Sequence, residues 1–185
     1  MIRKNLAISF ICFLSVANSP GATASGWEKA LRTRLSEFLS CEDQADDASP
    51  CNRFVGKALD DVYQVSDFRD PSIKGGYLSA NLIETYVTVS KDWVPLGSAD
   101  QQQALNEAAA TANSGRAAIA IIPGEKHGHI ALLLPGFPTH SPSWKLDVLN
   151  SACFFLGHPA QSYVSDKLSK AFSSPQGVKL FARIR

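Results

Sequence analysis

Gly128-His129-Ile130-Ala131-Leu132-Leu133-Leu134-Pro135-Gly136 is the stretch on which the reading of this chain turns. One ionisable side chain opens an unbroken aliphatic run, and Gly or Pro-Gly bounds it on both sides, the pattern of a buried strand between two turns. A histidine at the mouth of such a strand is held in direction by the ladder yet reaches water, which suits a general base. Upstream, residues 117–122 and the Pro123-Gly124 turn supply a hairpin partner. Downstream, residues 144–149 and the alternation of Val178, Leu180, Ala182 and Ile184 read as further strands, with Phe154-Phe155-Leu156 a short strand or a loop plug. If residues 135–143 turn the chain back, strand 144–149 runs antiparallel to 129–134 and its far end brings Asn150 and Ser151 beside His129. Tyr163, Val164, Leu168 and Phe172 suggest a helix across 160–172.

The first half reads differently. Trp27, Ala30, Leu31, Leu35, Phe38 and Leu39 recur at helical spacing over residues 27–40. Ser49-Pro50 is a helix start, with Ser as N-cap and Pro at the first helical position, and Cys51, Phe54, Val55, Ala58, Leu59 and Val62 share the face that follows. Residues 64–76 form a surface loop, and Leu78 to Val87 a short helix with Trp93 to Leu96 extended after it. Ser98 and Gln101 are spaced as a capping box, opening a helix that stops at Asn113-Ser114-Gly115. Helices first and antiparallel strands second give an α+β fold.

Composition bounds the rest. A 185-residue chain, 45% hydrophobic and 19% charged, has the makings of one well-cored domain and excludes a disordered tail, a collagen or a coiled coil. Eighteen basic against 17 acidic side chains, with no basic stripe, exclude an advertised nucleic-acid or anionic-membrane surface. Arg3 and Lys4, the apolar run from Leu6 to Val16 and the small triplet Ala22-Thr23-Ala24 make residues 1–24 a secretory signal peptide. The apolar run is too short for a spanning helix, so residues 25–185 are expected as a single secreted or periplasmic domain without stable membrane insertion. Cleavage leaves Cys41, Cys51 and Cys153, an odd number, which suggests one disulfide and one thiol kept for chemistry.

Cys51 is the leading candidate for that thiol. The first turn of a helix offers unpaired N–H groups and the positive end of the dipole, both of which favour a thiolate. Glu42, Asp43, Asp46 and Asp47 just upstream oppose it by favouring the neutral form. His129 is the matching base, and Asn150 or Ser151, with Asp147 as the charged alternative, would orient its ring. His127 shares the parity of His129, so the two, completed by Asp147 or Cys153, form a competing zinc reading.

Pro50-Cys51-Asn52-Arg53-Phe54-Val55 together with Gly128 to Gly136 resembles the papain-like cell-wall hydrolases, the NlpC-type peptidases and the cysteine, histidine-dependent amidohydrolase (CHAP) domains, including secreted amidase effectors. The likeness covers roughly residues 46–185, although the Asp-Cys-Ser-Gly pattern common in NlpC-type peptidases is absent. It implies a papain-like fold and a cysteine amidase or endopeptidase acting on peptidoglycan peptides, with Cys51 as nucleophile, His129 as base and Asn150, or Ser151 in its place, as orienting residue. It needs no metal or organic cofactor. Cys41 and Cys153 would then form the disulfide, the protein would act as a monomer, and an immunity or inhibitor protein would be its natural partner. The competing expectation is a catalytically inactive exported module that binds cell wall or inhibits another protein on the same scaffold.

Overall fold

Alternation of side chains along strands of four to six residues builds a six-stranded sheet with a separate core on each face. In the computed structural model, residues 26–40, 50–73, 75–155 and 158–184 are described. The strands are β1 (Trp93–Ser98), β2 (Ala118–Ile122), β3 (His129–Leu133), β6 (Asn150–Cys153), β7 (Tyr163–Lys167) and β8 (Lys179–Arg183), in the order β1-β8-β2-β3-β6-β7. Every pairing between them is antiparallel. Two short strands, β4 (Thr139–Ser141) and β5 (Leu146–Val148), form a hairpin of their own. The mixed architecture with an antiparallel sheet is the α+β class expected from the sequence.

On one face of the sheet lie α1 (Gly26–Ser36), α2 (Pro50–Ala58) and α3 (Ala80–Val89), covering Ile119, Ile121, Ile130, Leu132 and Phe154. The other face carries α4 (Gln102–Asn113) and the single turn α5 (Leu168–Ala171) against Ala118, Ala120, Ala131, Leu133 and Cys153. The second face is built from small residues on both sides. Ala104, Ala108 and Ala112 of α4 meet the sheet alanines, which lets the helix approach closely.

α2 begins at Pro50, as its fixed φ and missing N–H favour. Phe54, Val55 and Ala58, with Leu59 in the π-helical turn Leu59–Tyr63, are fully buried, so the helix is fastened to β3 by its apolar stripe. Phe54 lies 4.6 Å from Phe154 and 6.3 Å from Phe38, ring centre to ring centre, closing an aromatic cluster between α2, the segment after α1 and the end of β6.

Asn and Gln side chains fasten two turns and one hairpin strand by imitating a strand pair. Asn81 donates to the Gly124 carbonyl (2.8 Å) and accepts from its N–H (3.1 Å). Asn113 does the same with Gly136, and Gln102 with Asp147. Each amide supplies the donor and the acceptor that an exposed turn peptide would otherwise leave to water. A polar knot on the opposite side of the domain ties the loop after α2 to the last strand, with Asp67 accepting from Trp93 Nε1 and from Arg183 Nε, both at 2.8 Å.

The edge strand β1 contains Pro95, and its register with β8 shifts between Pro95 and Gly97. Gly97 sits at φ +122°, a conformation that a side chain would strain. Proline and a bulge are both found at sheet edges, because neither fits a continuous ladder.

Three sequence expectations are corrected. Residues 144–149 do not pair with β3: the chain spends 139–148 on the β4–β5 hairpin, and the next segment, Asn150–Cys153, takes the place beside β3. Residues 163–167 are strand rather than helix, because β6 offers an open edge to which the Tyr163 segment adds. The helix-like spacing across 160–172 survives only in the one turn of α5. Ser98 closes β1, and α4 starts at Gln102 after Gln101, with no side-chain cap, so the capping box does not form.

Candidate active site

His129 opens β3 and pairs with Ile122 across the β2–β3 hairpin. Period-2 alternation puts its ring on the same face as Ala131 and Leu133, the face covered by α4 and α5. There it packs between Phe155 (centroids 4.8 Å apart) and Phe172 (5.3 Å), and its Nε2 stands 3.0 Å from Cys153 Sγ. The ring also bonds the main chain of Ala171. Burial among these groups holds the imidazole pKa below the ordinary histidine value, outweighing the Ala171 bond, which acts the other way. The imidazole is therefore held toward its neutral form at neutral pH.

Cys153 is the functional candidate that sequence reasoning placed elsewhere, as a disulfide half or a zinc ligand. It faces Ala131 in the β3–β6 register, diagonal to His129, and its sulfur is completely buried. The signal was present in the sequence as a cysteine directly before the aromatic pair Phe154-Phe155, but only the true strand register connects it to His129.

Asn150 and Ser151 do not lie beside His129. Ser151 pairs with Leu133, four residues and about 13 Å along β3 from the histidine. The Asn150 carbonyl accepts from the Leu134 N–H, and the Ser151 hydroxyl, wholly buried, is shared with the Tyr163 hydroxyl at 3.1 Å. The strand beside β3 lies one segment later than the spacing suggests, which puts Asn150 and Ser151 at the Leu134 end of β3. Asp147 is on the exposed β4–β5 hairpin, where its carboxylate meets His140 Nδ1 at 3.3 Å. His127 is exposed in the turn before β3. Among the described residues no cluster of three or more His, Cys, Asp or Glu side chains could hold a metal ion.

Cys51 is the second residue of α2. Its side chain lies outside what the structure describes, as do Cys41 and the acidic stretch 42–49. Its helix is anchored three residues further on, where the Phe54 ring lies tilted against that of Phe154, just after Cys153. α2 covers the face of β3 that carries Ile130 and Leu132, whereas the His129 ring projects from the other. The structure thus brings His129 to Cys153 and packs α2 on the opposite face of the sheet.

No protein-family model matches the chain, and no curated protein matches it. No helix among the described residues is long and apolar enough to cross a membrane.

Proposed function

We propose that the chain is an exported cysteine amidase or endopeptidase that hydrolyses amide bonds in peptidoglycan peptides, with Cys51 as nucleophile and His129 as base. What supports the reading is the pair of residue types in the two segments that resemble the papain-like hydrolases, a cysteine in the first turn of α2 and a half-buried histidine at the first residue of β3; α2 packs on the face of β3 opposite the His129 ring, so the two would meet only if the ring turns at the strand end. Cys51 would attack the amide carbonyl while His129 takes the thiol proton and hands it to the leaving amine, and water would then release the acyl-enzyme. Backbone N–H groups at the start of α2 would meet the developing oxyanion. Cys153 is disfavoured as the nucleophile, because a fully buried sulfur cannot meet a polymeric substrate. In this reading its contact with the imidazole is a resting one that opens. A Cys41–Cys153 disulfide, formed in the oxidising envelope after residues 1–24 are removed, would take that sulfur away and release the ring.

The second reading, a catalytically silent wall-binding or inhibitor module, is favoured by one observation: the ring is turned away from α2 and engaged by Cys153 and Ala171. Purified sacculi digested with wild type, Cys51→Ala, His129→Ala and Cys153→Ala, with released muropeptides read by mass spectrometry, decide between them. The amidase reading expects the first two variants to lose at least about a thousandfold in rate and Cys153→Ala to remain active. Loss confined to Cys153→Ala and His129→Ala moves the nucleophile to Cys153. Wall binding without release by any of the four supports the module. Peptide mapping without reductant tests the disulfide, and a Cys41–Cys51 bridge in the active form would remove the proposed nucleophile.

A further inference from the structure

The loop that delivers His129 is six residues long, Pro123 to Gly128, and its glycines leave it almost no room. A Cβ at Gly124 would stand 2.2 Å from the His127 carbonyl oxygen, and one at Gly128 would stand 2.5 Å from Asn81 Oδ1 and 3.0 Å from the Ile122 carbonyl. Asn81 thus touches both ends of the turn: its amide closes two hydrogen bonds on Gly124, and its oxygen packs against the residue immediately before His129. Asn81 is itself fixed, two residues after the N-cap of α3, where Ser79 Oγ accepts from the Leu82 N–H.

We propose that Asn81 is a positioning residue for His129, acting through the Gly124–Gly128 turn to hold the imidazole at the sheet rim in its pocket of Phe155, Phe172 and Cys153. The inference deepens the amidase reading but stands on its own geometry, and its test does not need turnover. Among the described residues, the titratable side chain on the ring is Cys153 of β6, and a further polar contact is the Ala171 main chain at the end of α5. Releasing the turn lets water reach the ring and lifts the burial that suppresses its protonation.

The structure also contains the control. Asn113 makes the same pair of bonds to Gly136, beyond the other end of β3. Its loss removes the same chemistry from the same strand without touching the histidine turn. The experiment is an NMR pH titration of the His129 imidazole in full-length wild type, Asn81→Ala and Asn113→Ala. In Asn81→Ala the midpoint should move up toward the ordinary histidine value, whereas Asn113→Ala should leave it at the wild-type position. An unmoved midpoint in Asn81→Ala, or an equal shift in both variants, overturns the proposal. If Asn81→Ala does not fold, Asn81→Ser, too short to span to Gly124 yet still polar, carries the same comparison. Failure of the sacculus digestion with success here leaves Asn81 as a determinant of the histidine pocket in a silent module, so the two readings fail separately.

Discussion

Replacing Phe54 by alanine tests how α2 is held against the sheet. The side chain is wholly buried, and its ring meets Phe154 at 4.6 Å and Phe38 at 6.3 Å. Truncating a buried Phe to Ala costs about 3–5 kcal/mol, because the transfer free energy is lost and the cavity collapses only in part. Here three rings share one cluster, so the aromatic pairs, worth about 0.5–1.5 kcal/mol each, are lost along with the area. A domain with about 5–15 kcal/mol to lose would keep its fold but spend a large part of its margin. Urea unfolding of the full chain is the assay: with a slope of about 2 kcal/mol per molar, a 4 kcal/mol loss moves the midpoint down by about 2 M. Phe54→Leu retains most of the volume and should cost about 1–2 kcal/mol. A loss below about 1.5 kcal/mol for Phe54→Ala, or equal losses for the two variants, would refute the packing argument.

Three further outcomes are expected. Because burial lowers the His129 pKa, the unfolded chain binds the proton more readily than the native one. Stability should therefore fall as pH drops from the ordinary histidine value through the lowered one, and His129→Gln should flatten that part of a urea-midpoint profile; an unchanged slope contradicts it. Asp67→Ala should cost about 2–3 kcal/mol in thermal or urea unfolding, since it leaves the Trp93 indole N–H and the Arg183 guanidinium, both little exposed, without their acceptor; a change within about 0.5 kcal/mol would place that knot among ordinary surface pairs. Iodoacetamide applied under reductant to the folded protein should spare Cys153, whose residue is fully buried, and modify it once the chain is unfolded under the same reductant; equal rates in the two states would show the His129 pocket to be open.

Much of the fold was legible because burial imposes periodicity. The stripe Phe54, Val55, Ala58 and Leu59 made α2 readable, and the run from Ile130 to Leu134 made β3 readable. Residues 163–167 misled for a physical reason: an edge strand meets the core on one side only, and the spacing from Tyr163 to Phe172 fits a helix as well as a strand followed by one turn. The β4–β5 hairpin was hidden because its three-residue strands are shorter than any reliable alternation. That single insertion shifted the strand next to β3 and replaced Asn150 and Ser151 by Cys153 as the neighbour of His129. The histidine itself was found from local chemistry. Its partner depended on non-local register, which composition and spacing do not encode.

The bulge and proline of β1 bear on how this protein behaves in company. A sheet of six strands ends in two rows of backbone groups, and on the β1 side Pro95 removes one amide donor while the Gly97 kink throws the remainder out of line. A neighbouring chain that tried to extend the sheet there would find a broken template rather than a regular one. Straightening that margin, with valine at 95 and alanine at 97, would convert a self-limiting border into an adhesive one, and concentrated solutions would reveal it as fibrils or precipitate well before the individual molecules lost their shape.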